Sequence, residues 1–421
     1  MKGAVVAITL SAVGPAGLAP APWQDPAQFW PGIEAATAGL ESPLAVLELG
    51  ALRFNTHDLV RRAAGKPIRV ASKSIRVRGL IHALLDTDGY AGVLAFTLPE
   101  ALWLAETIDD IVVGYPTADA DAIRRLAADP VAASRVTLMV DSIDHLDFID
   151  ACVPPAQREN LRLCLELDVS WQAAVLLGHV GVWRSPVRTA EEAAALAAAI
   201  ESRAGFTLVG MMAYEAQIAG LGDRNDPQGS WSLTKRWMKR RSVAELTERR
   251  AEAVAAVRHV TALDFVNGGG TGSMESTSQD DSVTEIAAGS GILGGHLFDN
   301  YRTFRPAPAA SFALSVVRKP APSMAVILGG GWVASGPPGD DRMPRLEWPT
   351  GLHLVPREMA GEVQTPIRGA GASMLAAGDR VWLRHSKSGE LSERVNDFVV
   401  VDNDRVVNQL PTYRGEGKAF L

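Results

Sequence analysis

The chain has 421 residues, of which 47% are apolar and 21% charged; this is the composition of a folded protein of about two or three domains and excludes a peptide, a single small module and a disordered chain. Its 41 basic and 48 acidic residues leave a formal net charge of -7, which repels a phosphate backbone and argues against a nucleic-acid partner. Two cysteines, Cys152 and Cys164, supply neither a disulfide framework nor a cysteine-rich zinc site, and they favour a reducing, cytoplasmic setting.

At the start, Lys2 precedes a mildly apolar stretch interrupted by Ser11, Gly14, Pro15 and Gly17, a poor imitation of a signal peptide. No apolar run along the chain approaches the roughly 18 residues of a membrane span. Trp23, Phe29 and Trp30 predict that residues 1–41 form an arm packed on a domain.

From there, short β-branched runs alternate with helical stretches. Strands are predicted over 68–73, 92–96, 111–115, 136–140, 161–169, 207–214 and 263–266, with a weaker eighth near Ile292. The first five begin about 20 to 25 residues apart, enough for one strand and one crossover helix each. Thr97 with Glu100 and Thr189 with Glu192 open two of the intervening helices as capping pairs. Eight strands and their helices predict a (β/α)8 TIM barrel over residues 42–305 rather than an open doubly wound sheet. The interval 220–259 holds Lys235, Arg236, Lys239, Arg240, Arg241, Arg249 and Arg250, read as a solvated helix face or, alternatively, as a surface for an anionic partner. After Pro306 glycine and proline become frequent, and short runs at 312–317, 325–328, 380–384 and 398–401 predict a β-rich domain over 306–421.

In such a barrel the chemistry sits at the C-terminal strand ends. The first strand ends in Ile-Arg-Val-Ala-Ser-Lys, placing Lys73 at the mouth, where partial desolvation lowers an amine's pKa and favours a Schiff base. The fifth ends at Asp168 and the sixth at Tyr214. The seventh runs into Asn-Gly-Gly-Gly-Thr-Gly, whose backbone amides and Thr271 hydroxyl suit an anion or serve a plain turn. The loop lacks the third glycine of a dinucleotide fingerprint and the lysine of a triphosphate loop. Ala-Gly-Ser-Gly-Ile at 288–292 is a second anion candidate.

In this order, the strand-end lysine, the Glu-x-Asp fifth strand, the Gly-Met-Met-Ala-Tyr-Glu-Ala-Gln sixth strand, the glycine loop and the later β domain resemble the fold type III (alanine racemase-like) pyridoxal-phosphate enzymes. The branch most similar is that of D-threonine aldolase and D-serine dehydratase. The resemblance implies that Lys73 holds pyridoxal 5'-phosphate as a Schiff base, that Gly269, Gly270 and Thr271 with Ser290 and Gly291 bind its phosphate, and that Tyr214 lies beside its ring with Gln217 nearby. His179 falls where relatives carry an arginine. Relatives bind a divalent metal, manganese or zinc, on a His-x-Asp or His-x-Cys pair; here the pair is His385 and Lys387, and an ammonium has no lone pair to donate. A second ligand would come from Glu390, Asp397 or Asp402, or Lys387 would replace the ion's charge while His385 carries a proton. The implied activity is aldol cleavage of D-β-hydroxy amino acids, with dehydration, racemisation or a non-catalytic cofactor carrier as alternatives, in a homodimer acting on a small amino acid.

Overall fold

Eight short apolar runs form one closed parallel barrel: Ile68–Ala71, Tyr90–Ala95, Ile111–Val113, Val136–Val140, Leu161–Glu166, Phe206–Ala213, Phe265–Gly268 and Glu285–Ala288. The order around the barrel follows the chain, and it closes where Ile286 of the last strand pairs with Ile68 of the first. The computed structural model describes residues 8–10, 21–173, 178–224, 230–337 and 339–421. Among these, no helix is long and apolar enough to cross a membrane. The imitation signal sequence lies largely outside the described residues.

The predicted barrel is therefore present, with one strand displaced. The eighth is Glu285–Ala288, and Ile292 lies instead in the short helix Ser290–Leu293. A four-residue strand buried along its whole length carries no alternating pattern, so nothing in its residues set it apart from the Ile292-Leu293 pair a few positions on. The fifth strand stops at Glu166, and a two-stranded ribbon, Trp171–Ala173 with Gly178–Val180, follows.

Capping was legible. Thr97 Oγ1 accepts the Glu100 amide at 3.3 Å, and the Glu100 carboxylate accepts the Phe96 amide at 2.7 Å, opening Leu98–Leu104. Thr189 and Glu192 form a fully reciprocal capping box before Ala190–Glu201, with the Glu192 carboxylate accepting the Thr189 amide itself. The basic interval becomes the 29-residue helix Ser230–Arg258, but two of its arginines turn inward. Arg249 donates to the carbonyls of Asp168 and Ser170 at 2.5 and 2.9 Å; Arg250 is almost wholly buried against Asp280. At these two positions the charge run is structural, not a solvated face.

At the N-terminal end of the barrel Arg69 points inward between Glu285 and Asp110. Gly92, at φ +69, makes room for it, since a Cβ there would lie 2.4 Å from Arg69 Nη1.

The chain folds as two units. One comprises residues 59–73, 88–288 and 420–421, and holds the barrel; the other comprises 1–58, 74–87 and 289–419. The second unit is built on a nine-stranded sheet. All four strands predicted after Pro306 are in it, as Ala310–Ala321, Met324–Leu328, Arg380–Arg384 and Asp397–Asp402. An unpredicted strand, Leu44–Glu48, lies between the first and last of these, antiparallel to one and parallel to the other. A domain boundary at residue 42 would have assigned that strand to the barrel. The helix Pro26–Ala36 of the N-terminal segment, capped by Asp25, brings Phe29, Trp30 and Ile33 into a cluster with Val46, Trp382 and Val401.

Candidate active site

Lys73 lies two residues past the first barrel strand, in the turn Ser72–Ser74. Its Nζ is 3.1 Å from the hydroxyl of Tyr115, which follows the third strand. Burial alone would raise the Tyr115 pKa, but the nearby charges of Lys73 and Arg184 outweigh it and lower the phenol below its usual value. The Arg184 guanidinium stands 5.3 Å from the Tyr115 ring centroid and 4.7 Å from that of Tyr214, and its Nη1 is 3.5 Å from Glu166 at the end of the fifth strand. Five groups from four strand ends and one loop thus converge: Lys73, Tyr115, Glu166, Tyr214 and Arg184.

Burial raises the Glu166 pKa to about 7, with Arg184 opposing and Asp141 assisting. The folded protein therefore takes up a proton that an ordinary carboxyl, at 4.5, gives up. This stabilising contribution is complete below about pH 4.5 and is lost as pH rises through about 7. Glu166→Gln should flatten the fall in thermal midpoint across that window. An unchanged slope in the variant means that Glu166 titrates like an exposed carboxylate.

Past the seventh strand, Gly269 takes φ +80, a conformation that favours glycine. At Gly270 an added Cβ would lie 3.0 Å from Ala219 Cβ and 3.3 Å from the Tyr214 ring. The expected phosphate donors are partly committed elsewhere: the Gly269 amide donates to Glu215 Oε2 at 2.9 Å and the Gly270 amide to Ser273 Oγ at 3.1 Å. Thr271 is buried, and its carbonyl accepts from Arg62 at 2.6 Å. Ser290 and Gly291 open the short helix directly after the eighth strand.

Other expected positions fall differently. Gln217 is buried and spends its amide on the Val169 carbonyl at 2.7 Å. His179 lies on the ribbon, stacked on Trp183 at 3.8 Å, and Ser170 Oγ approaches its Nδ1 at 3.4 Å. The arginine that reaches the Tyr214 ring is Arg184, five residues further on. Its loop has neither periodicity nor a motif to signal it. Tyr115 and Glu166 lay inside predicted strand ends and were open to recognition there.

In the second unit His385 follows the strand Arg380–Arg384 and is buried. Burial, then Arg384 and His296, pushes its pKa down to about 3, so the ring is neutral near pH 7 and poorly suited to carry a proton. Lys387 Nζ donates to the Ser335 carbonyl at 2.7 Å, and the Lys387 backbone amide donates to Glu390. Asp402 accepts from Arg53 at 3.3 Å. Among the described residues no three His, Cys, Asp or Glu side chains converge as a metal site. Both ring nitrogens of His385 are buried without a hydrogen-bond partner among the described residues, but Lys387 offers no lone pair, so the His385 and Lys387 pair does not itself fit a divalent ion.

A closed parallel barrel with a lysine just past its first strand, aromatic rings beside it and a glycine turn after the seventh defines the alanine racemase-like class of barrels. Residues 47–294, more than half of the chain, match the family of the alanine racemase N-terminal domain, and the chain belongs to that family. It is 27% identical over 261 residues to 3-hydroxy-D-aspartate aldolase of Paracoccus denitrificans, a match spanning 60% of this chain and 60% of the relative. The fold is similar to that of D-threonine aldolase from Filomicrobium marinum, with a TM-score of 0.72 at 19% identity over 90% of this chain and 96% of that one. It is also similar to D-threo-3-hydroxyaspartate dehydratase from Delftia sp. HT23, with a TM-score of 0.63 at 18% identity over 89% and 97%.

Proposed function

We propose that the protein is a pyridoxal-phosphate-dependent lyase that cleaves the Cα–Cβ bond of D-β-hydroxy amino acids to glycine, or a related amino acid, and an aldehyde. The observation that carries the reading is the Lys73 amine held at the strand ends beside Tyr115, with the Tyr214 ring and the glycine turn in the same barrel unit. The residues fit the cofactor: a strand-end amine for its aldehyde, an aromatic wall for its ring, and a glycine turn packed so closely on Ala219 and the Tyr214 ring that position 270 has no room for a side chain. The aldolase names of the curated relatives support the choice of bond.

When bound, pyridoxal phosphate supplies an electron sink for a carbanion at Cα. Lys73 would be its attachment point, and the Lys73 amine lies within hydrogen-bond reach of a second proton carrier. That carrier is Tyr115, whose hydroxyl accepts from Nζ at 3.1 Å and whose pKa is lowered by the charges of Lys73 and Arg184. Arg184 keeps positive charge against both tyrosine rings, and the glycine turn at Thr271 would hold the phosphate. No step is assigned to a metal.

Products from a panel of D- and L-β-hydroxy amino acids, identified by mass spectrometry with a chelator present, test the reading. Glycine plus an aldehyde is expected, from D substrates. An α-methyl substrate has no α-proton and is expected to turn over too, which elimination cannot do. A keto acid with ammonia instead would assign the protein to the dehydratases.

A further inference from the structure

Glu215 follows Tyr214 and is 1% exposed, yet it lies beside a turn proposed above to hold a phosphate. A buried carboxylate beside an anion site is repulsive unless it is neutralised and serves a purpose. Here it has a counter-charge, though a shared one: Arg250 Nη1 is 3.4 Å from Glu215 Oε2, and the same guanidinium donates to Asp280 at 2.6 Å. The carboxylate is also fully used. Oε2 accepts the Gly269 amide at 2.9 Å; Oε1 accepts the hydroxyls of Ser273, at 3.3 Å, and Thr277. Ser273 in turn accepts the Gly270 amide at 3.1 Å. One carboxylate therefore grips the turn at Gly269 directly, at Gly270 through Ser273, and beyond it through Thr277.

We infer that Glu215 is a positioning residue that templates the glycine turn in its anion-binding form. In that role it takes up the Gly269 amide directly and the Gly270 amide through Ser273, and so fixes the path of the turn's backbone. The inference rests on the proposed cofactor and adds to it a selectivity: Glu215 governs affinity for the phosphate-bearing form of the cofactor and not for its aldehyde and ring. A residue that merely supports the fold would affect both forms alike.

The test titrates wild type, Glu215→Gln and Ser273→Ala apoprotein with pyridoxal phosphate and, separately, with pyridoxal, reading visible absorbance. Glu215→Gln is expected to weaken pyridoxal phosphate by roughly tenfold or more and Ser273→Ala by roughly threefold, with pyridoxal changed less than about twofold. Should Glu215→Gln fail to fold, Ser273→Ala decides by the same ratio. A parallel loss for both ligands, or no loss in a folded variant, overturns the inference while leaving the proposed function standing. Wild-type protein that binds neither ligand through Lys73 removes both.

Discussion

Lys73→Ala is expected to abolish covalent uptake of pyridoxal phosphate, seen as loss of the visible band, and to lower turnover by on the order of 10⁴-fold or more. The expectation is sharp because Lys73 is exposed and lies in a three-residue turn after a strand. Thermal stability should therefore move little, since substitutions away from buried features usually stay within about 0.5 kcal/mol. Lys73→Arg makes the contrast chemical. It keeps a cation beside Tyr115, but a guanidinium does not condense with an aldehyde at neutral pH, so Arg should be as inactive as Ala. Activity in the Arg variant would mean that position 73 supplies charge alone, and the cofactor reading would fall. The Tyr115 phenol provides a second readout: its pKa is lowered chiefly by Lys73 and should rise in the Ala variant but less in the Arg variant.

The features of the barrel that depend on neighbours in sequence were legible. Lys73 could be found because a strand end fixes where its side chain emerges, and the Thr189 and Glu192 pair because capping is a three-residue relation. The strand Leu44–Glu48 was missed because its register partners, from Ala310 to Ala313 and from Val399 to Val401, lie in the last third of the chain. Its apolar run reads like any barrel strand. Glu215 illustrates the same limit at the site: its partners Arg250 and Thr277 stand 35 and 62 residues away, and a sequence pass sees Arg250 only as part of a basic run. The metal question had a local signal, Lys387 in place of a ligand, and that ammonium is spent on the Ser335 carbonyl. Arg184 had no local signal, since a loop arginine becomes informative only when two tyrosines from different strands are placed against it.

Glu285→Ala is expected to be the most destabilising single change in the barrel, by about 3–5 kcal/mol, because it leaves a desolvated guanidinium without its main partner. Arg69 makes two bonds to Glu285, at 2.6 and 2.9 Å, and two to Asp110, at 3.0 and 2.9 Å, and stands 5.1 Å over the Phe265 ring. Its side chain is 3% exposed, that of Glu285 8%, and that of Asp110 53%. Burial opposes the arginine's charge, but Glu285 and then Asp110 more than offset it and raise its pKa. Glu285 Oε1 also accepts from Asn267 at 2.9 Å, tying the seventh and eighth strands to the first. Asp110 is solvated, so Asp110→Ala should cost at most about 1 kcal/mol. The double change Arg69→Met with Glu285→Leu should restore most of the loss, because a matched apolar pair avoids the penalty of burying charge. Urea unfolding of the four proteins measures all of these. A Glu285→Ala loss below that of Asp110→Ala would show that water reaches Arg69 and that the pair is not desolvated.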